Sequence, residues 1–230
     1  MSTLQNIIRE YIADFIGKQN RTYVVKPAIP IVWFGNMEKY AASPQKIVTV
    51  GINPSLKEFE EPRFELVDLQ GNNAANKLAE TLNLYFKKKP FSWFGNFEKL
   101  LSLLNAGYYE NKANTAIHID IYSAIATNPT WSGLTECEKK DIRRTDLFQK
   151  LLKLLNPDVI VFSVNQKVFN EVFHRFECVK SIDDIGGKKG FFIRKYTYEG
   201  KILISGRNYR GQPFGGMSDA EIKQTMKQLL

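Results

Sequence analysis

The segment Val48-Thr49-Val50-Gly51-Ile52-Asn53-Pro54-Ser55 joins a run of β-forming residues directly to a polar turn. The apolar run predicts a buried strand, and in open α/β sheets ligands bind just beyond the carboxyl ends of such strands. Gly51 allows a close backbone approach, while Asn53 and Ser55 carry groups that hydrogen-bond to a ligand. Because the same residue types also form ordinary turns, the segment predicts either a binding loop or a plain turn.

Strand-like and helix-like segments alternate along the whole chain of 230 residues. The predicted strands lie at 29–34 (an edge strand), 47–52, 115–122, 158–163, 191–198 and 201–204. The predicted helices lie at 3–17, 72–86, 93–105, 140–155, 166–176 and after the capping box Ser218-Asp219-Ala220-Glu221. This order predicts one α/β domain over 1–230, a three-layer α/β/α sandwich with a central, mostly parallel four-stranded sheet plus edge strands. Residues 1–28 form its N-terminal helical extension.

The composition is that of a soluble globular protein, with 43% hydrophobic and 24% charged residues. No apolar run is long enough to span a membrane, so we expect a cytoplasmic monomer, associated with the nucleoid if the source is bacterial. Cys137 and Cys178 are far apart and lack metal-type spacing. They indicate a reducing compartment, and we expect no metal, iron–sulfur cluster or other cofactor.

The basic balance of the chain points to a polyanionic partner. The net charge is +8 and the isoelectric point is about 9.3, which favours DNA as the partner, either single- or double-stranded. The alternative is a merely solubilising surface. Basic residues stand beside aromatics and glycines at 87–91, 187–191 and 206–211, and this interleaving is more typical of a surface that grips a nucleic-acid strand.

The run Gly51-Ile52-Asn53-Pro54 resembles the first motif of the uracil-DNA glycosylase superfamily, in the Gly-X-Asn-Pro form of its mismatch-specific and single-strand-selective branches. The order of later segments is similar to that family over about residues 30–228. A strand at 116–122 corresponds to the one that ends in a base-reading residue, and Ser205-Gly206-Arg207-Asn208 corresponds to the second motif. The resemblance implies a metal-free DNA glycosylase that flips a base out of DNA and hydrolyses its N-glycosidic bond, leaving an abasic site.

The resemblance also implies roles for residues near the first motif. Asn53 would position the attacking water, and backbone groups of Gly51 and Ile52 would meet the base. Asp120 stands where an asparagine usually reads uracil. Since an ionised carboxylate only accepts hydrogen bonds, Asp120 predicts a cytosine-like or modified base. The alternatives are that Asp120 is a helix cap or a salt-bridge partner, or that the alignment is shifted.

Other candidates surround these groups. His118 either orients Asp120 from the same strand face or is an ordinary core histidine. Phe64 is the candidate for stacking on the flipped base, with Phe59 and Phe91 as competitors, while Trp131 is more typical of packing. The candidate DNA-binding residues are Ser55, Ser205, Gly206, Arg207, Asn208, Tyr209 and Arg210.

The second motif departs from the family because it contains no histidine to stabilise the leaving base. The departure leaves three alternatives to a repair glycosylase. One is a defence glycosylase that attacks modified cytosines of invading phage DNA, and Asp120 motivates it. Another is a catalytically silent DNA-binding module with the same fold. A hydrolase of small nucleotides is more remote, because a charge of +8 suits a longer polyanion.

Overall fold

The computed structural model of the protein describes residues 3–61, 65–87, 92–109 and 112–230. Its helices are α1 (Leu4–Lys18), α2 (Met37–Ala42), α3 (Ala74–Leu82), α4 (Ser92–Leu101), α5 (Glu136–Ile142), α6 (Thr145–Leu155), α7 (Gln166–Val172) and α8 (Asp219–Leu229). Its strands are β1 (Ile47–Gly51), β2 (Ala106–Gly107), β3 (Asn114–Asp120), β4 (Val159–Phe162), β5 (Glu177–Ile182), β6 (Ile193–Tyr198), β7 (Lys201–Gly206), β8 (Asn208–Tyr209) and β9 (Gln212–Pro213). None of the helices in these ranges combines the length and apolar character needed to cross a membrane.

Seven of the described strands form one sheet in the order β2-β3-β1-β4-β7-β6-β5. β4 pairs in parallel with β1 and with β7, whereas β6 pairs antiparallel with both β7 and β5. All residues of β1 and β4 are buried, as their Val- and Ile-rich sequences require in a sheet covered on both faces. The predicted three-layer α/β/α class is confirmed, with β3, β1, β4 and β7 as the central strands.

The described chain groups into two compact units. The first comprises Met1–Asn36, Ile52–Lys88 and His118–Asn156, and the second comprises Met37–Gly51, Lys89–Ile117 and Pro157–Leu230. The sheet belongs to the second unit, apart from the last residues of β3. The candidate site residues are divided between the two units.

In the first unit, α1 packs against α3 and α6. Its buried face consists of Ile7, Ile8, Tyr11, Ile12 and Phe15, as the helical spacing of these residues predicts. Ion pairs also join α1 to the start of α6 and to α6 itself, from Arg144 to Asp14 at 2.8 Å and from Lys150 to Glu10 at 2.6 Å. The N-terminal helix is therefore a structural part of the first unit.

The predicted edge strand at 29–34 is wrong. Phe34 forms an isolated antiparallel bridge with His118, and Ile31 donates its N–H to the Ala124 carbonyl at 2.8 Å. No continuous ladder forms because Pro27 and Pro30 have no N–H to donate. The side chains of 29 and 31–34 are nevertheless almost fully buried, so the apolar pattern indicated burial and not strand pairing.

Other boundaries differ from the prediction in smaller ways. The predicted helix at 140–155 is two helices, because Arg143 has an extended backbone and ends α5. The helix predicted at 166–176 ends at Val172, and the unpredicted edge strand β5 follows it at Glu177–Ile182. The segments at 191–198 and 201–204, which the sequence predicts as either a hairpin or an edge strand and a central strand, form the antiparallel hairpin of β6 and β7.

Candidate functional site

The loop that follows β1 lies along a second segment of the first unit. Tyr122 donates its N–H to the Ile52 carbonyl at 3.0 Å, and Thr127 donates to the Pro54 carbonyl at 3.2 Å. Ser55 and Thr127 also form a parallel bridge. These backbone bonds at both ends of the loop hold the Asn53 backbone in place.

The side-chain amide of Asn53 has a defined orientation. Its Nδ2 donates to the Pro54 carbonyl at 2.7 Å, the Ile125 carbonyl at 3.3 Å and the Thr127 hydroxyl at 3.2 Å. Carbonyl oxygens only accept hydrogen bonds, so the NH₂ group must face them and Oδ1 must point away. Among the described residues, Oδ1 is buried and has no hydrogen-bond partner. Such an orphaned acceptor is costly in a folded protein and is typical of a position that a ligand or a bound water completes.

Glu58 is a further member of this loop that the sequence reasoning missed. Its Oε2 accepts from the Ser55 N–H at 2.8 Å and from the Ser55 hydroxyl at 2.9 Å, and the residue is only 5% exposed. Burial raises the pKa of Glu58 to about 7, and the negative charge of nearby Asp120 adds to the rise. The Ser55-x-x-Glu58 spacing is a capping-box pattern that could have revealed the contact.

Asp120 ends β3 as a buried carboxylate. Its side chain is 5% exposed, and Oδ1 lies 3.6 Å from Nε2 of His118, whose side chain is 1% exposed. That distance is within ion-pair range and longer than a hydrogen bond. The His118 ring also packs edge-on against Phe34 at 5.4 Å. Burial raises the pKa of Tyr11 above its usual range, and the charge of Asp120 is among those of the carboxylates that add to the rise.

The remaining base-binding candidates lie in different surroundings. Gly51 is the buried last residue of β1, while the carbonyl of Ile52 is occupied by Tyr122. Phe59 is partly buried at the end of the short helix that Ser55 begins. Phe64 and Phe91 lie outside the described residues. Trp131 stacks on Tyr122 with ring centroids 4.6 Å apart and packs against a hydrophobic cluster of the first unit, as expected for a packing residue.

In the second unit, the residues after β7 form a small hairpin. β8 pairs with β9, and the turn residues Arg210 and Gly211 have φ of 51° and 75°, as a tight two-residue hairpin turn requires. α4 supports the turn, because Trp93 donates its indole N–H to the Gly211 carbonyl at 2.9 Å. Asn96 adds a second contact, to the side chain of Gln212 at 2.9 Å.

The hairpin carries cationic and aromatic side chains in contact. The Arg207 guanidinium lies 4.7 Å from the ring centroid of Phe191 and 5.6 Å from that of Tyr209. Arg210 lies 5.2 Å from the Tyr209 ring, and Arg207 also donates to the Gly190 carbonyl at 2.6 Å. We call Phe191, Arg207, Tyr209 and Arg210 the arginine–aromatic cluster. Rings and guanidinium planes at a surface are suited to stacking on bases and binding phosphates.

The other second-motif residues support the base of this hairpin. Ser205 is 3% exposed at the end of β7. A Cβ at Gly206 would lie 2.1 Å from a ring carbon of Phe214, so only glycine fits there. Asn208 donates its side-chain amide to the Ser163 carbonyl at 3.1 Å. In the first unit, the hydroxyl of Ser55 also has a hydrogen-bond partner, because it donates to the Glu58 carboxyl group.

Comparison with known proteins adds no further assignment. The chain matches none of the protein-family models with which it was compared, and no curated protein is significantly similar to it. In the described part of the chain, no group of three or more His, Cys, Asp or Glu side chains is placed to hold a metal ion. Cys137 and Cys178 are free and exposed.

Proposed function

We propose that the protein is a DNA glycosylase that hydrolyses the N-glycosidic bond of a flipped nucleotide and leaves an abasic site. The observation that carries the proposal is the orphaned Oδ1 of Asn53, a buried acceptor whose direction is set by three hydrogen bonds to the same amide. A water that donates a proton to Oδ1 would be held for attack on the anomeric carbon. The resemblance of the surrounding motif to the uracil-DNA glycosylase superfamily assigns the same role to Asn53.

The chemistry of the bond explains what such a group contributes to catalysis. N-glycosidic cleavage passes through a state with a cationic sugar and an anionic departing base. An amide is a weak base, so Asn53 would act by positioning the water more than by removing its proton. The carboxylate of Asp120 and backbone groups of Ile52 would complete the contacts to the base.

DNA binding is the second element of the proposal, and the arginine–aromatic cluster and the net charge of +8 support it. We expect DNA affinity to fall steeply as salt rises, since phosphate contacts release counterions. Arg207→Ala and Arg210→Ala should each flatten the slope of log affinity against log salt by about one. Fluorescence anisotropy with a single-stranded oligonucleotide measures the slope.

A surface arginine of the first unit provides the control for this measurement. Arg21 is paired with Asp141 and its side chain is 54% exposed, and Arg21→Ala should leave the slope unchanged. If all three variants keep the wild-type slope, the hairpin is not a DNA contact. If all three flatten it equally, the binding is diffuse and uses no defined surface.

The direct test of the function is release of a free base. Oligonucleotides carrying uracil, cytosine or 5-hydroxymethylcytosine are incubated with the protein, and mass spectrometry detects the freed base while alkaline cleavage detects the abasic site. We expect one class of base to be released, with one abasic site formed for each base. Tight DNA binding without release from any substrate would instead indicate a catalytically silent DNA-binding module.

Asp120 favours a substrate read through an exocyclic amine. We expect Asp120→Asn to raise release of uracil and to lower release of cytosine-type bases, because a carboxylate facing uracil O4 leaves both acceptors unpaired. Such an unsatisfied group costs about 1–3 kcal/mol, which is roughly a tenfold or larger change in rate. Single-turnover rates on both substrates measure the exchange of preference.

Both substrates are needed in that experiment because a general loss of folding would lower both rates together. Efficient uracil release by the wild type, with neither rate changed by Asp120→Asn, would contradict base reading by this residue. A preference of the wild type for modified cytosine would favour a defence role against modified phage DNA over repair.

A further inference from the structure

The proposed reaction needs a group that stabilises the departing base, and the second motif does not supply one. It contains no histidine, and Ser205 is buried in β7. The side chains of Arg207 and Asn208 bind backbone carbonyls of their own unit, those of Gly190 and Ser163. The source of leaving-group stabilisation must therefore be sought elsewhere, among the groups around Asn53.

Glu58 is the carboxyl group that lies closest in the chain to Asn53. Its backbone belongs to the loop that starts at Asn53, and the Ser55 N–H and hydroxyl both bind one of its oxygens, Oε2. A carboxyl group fixed through one oxygen leaves the other oriented and able to carry a proton.

We propose that Glu58 is the general acid of this site, an inference that rests on the proposed glycosylase function. Its O–H protonates the base as the C1′–N bond breaks, and the electron pair of that bond leaves with the base. The water held by Asn53 adds to C1′ and gives its proton to the Glu58 carboxylate. The acid is thereby restored, and the balanced products are a free neutral base and an abasic site.

The surroundings of Glu58 raise its pKa to about 7, so a large share of it is protonated near neutral pH. Burial disfavours the anion, and the charge of Asp120 at the end of β3 repels a second negative charge. Asp120 itself lies 3.6 Å from His118 on its own strand, and its charge also acts on Tyr11 of α1. A carboxyl group whose burial and neighbouring charge favour its protonated form is suited to act as a general acid.

If the role of Glu58 were only structural, its contacts with Ser55 would be sufficient. The variant Glu58→Gln distinguishes this capping role from the role of general acid. Glutamine keeps a side-chain oxygen that accepts from the Ser55 N–H, but it has no acidic proton. We expect Glu58→Gln to lower single-turnover base release by roughly 10²–10⁴-fold, the usual contribution of a general acid. Wild-type activity should fall as pH rises through about 7, where Glu58 loses its proton, and the variant should lack this fall.

Glu98→Gln is the matched control because Glu98 is another partly buried carboxyl group of this chain. It lies in the second unit, where its Oε1 accepts from the Tyr108 N–H at 2.6 Å and burial raises its pKa. Glu98→Gln should keep the wild-type pH profile. A second readout uses uracil and cytosine against their 5-fluoro analogues, which leave more easily and depend less on an acid. The ratio of wild-type to Glu58→Gln rates should therefore shrink for the analogues.

The outcomes separate this inference from the proposed function. If the wild type releases no base from any substrate, both are overturned. If the wild type releases base and Glu58→Gln keeps its rate and pH profile, the glycosylase function stands and the general acid is not Glu58. If Glu58→Gln lowers the rates on all substrates by one common factor and keeps the pH profile, its role is structural and the inference is overturned.

Discussion

Asn53→Ala is expected to lower single-turnover base release by roughly 10²–10⁴-fold, with little change in DNA affinity. The physical reason is the orphaned Oδ1, which the structure buries and aims away from the three acceptors bound to Nδ2. Alanine removes the acceptor atom that would hold the water at that point. Rapid-quench measurement with excess protein separates this chemical step from product release.

Thr127→Val tests the orientation of the same amide without removing it. Thr127 is fully buried and its hydroxyl accepts from Nδ2 of Asn53 at 3.2 Å, so a valine of similar shape deletes one of three orienting bonds. We expect a smaller loss in the rate of base release, roughly five- to tenfold, since one hydrogen bond contributes about 1 kcal/mol.

An unchanged rate in Asn53→Ala, with the fold intact, would remove Asn53 from the mechanism.

The second large effect concerns the free energy of unfolding and its dependence on pH. The pKa of Glu58 rises from 4.5 to about 7 on folding, so the protonated form stabilises the folded state. This contribution is fully present below the pKa of the unfolded chain and is lost as pH rises through about 7. Relative to Glu58→Gln, the wild type should therefore lose about 3 kcal/mol between mildly acidic and mildly alkaline pH.

Urea unfolding of both proteins from about pH 5 to about pH 9 measures this difference. The two proteins should have similar stability at the acidic end, and Glu58→Gln should be the more stable at the alkaline end. Parallel stability curves over the whole range would mean that Glu58 titrates normally in the folded protein. This measurement needs no DNA, so it tests the protonation of Glu58 independently of any activity.

The central sheet could be predicted from the sequence because its strands are apolar runs that end at clear turn residues. The runs at 47–51 and 159–162 are apolar throughout, and turn residues follow both of them. The segment at 29–34 has an equally apolar composition, but Pro30 within it and Pro27 before it prevent continuous strand pairing. β5 was not predicted because all of its residues except Ile182 are exposed. Its sequence therefore lacks the alternation of apolar and polar residues that a half-buried strand shows.

The candidate site was predicted in part. Asn53 was identified because its amide can hydrogen-bond to a ligand and because it follows a buried strand, where ligands bind in open α/β sheets. The orientation of its amide depends on carbonyls of Ile125 and Pro54, and no sequence pattern encodes carbonyl positions. Glu58 was missed because a Glu three residues after a Ser ordinarily indicates a helix cap. Only the fold shows that this cap is buried and that the charge of Asp120 acts on it.

The central sheet has a consequence for how the chain is made. β4 lies between β1 and β7, and the backbone N–H of Lys46 before β1 is bound by the side chain of Asp158, 112 residues later in the sequence. Partners this distant give a high contact order, and loop closure must precede the gain from pairing. During synthesis, the apolar strand β1 is therefore without its β4 neighbour until most of the chain has been translated. We expect slow folding, and a need for chaperones while that strand is uncovered.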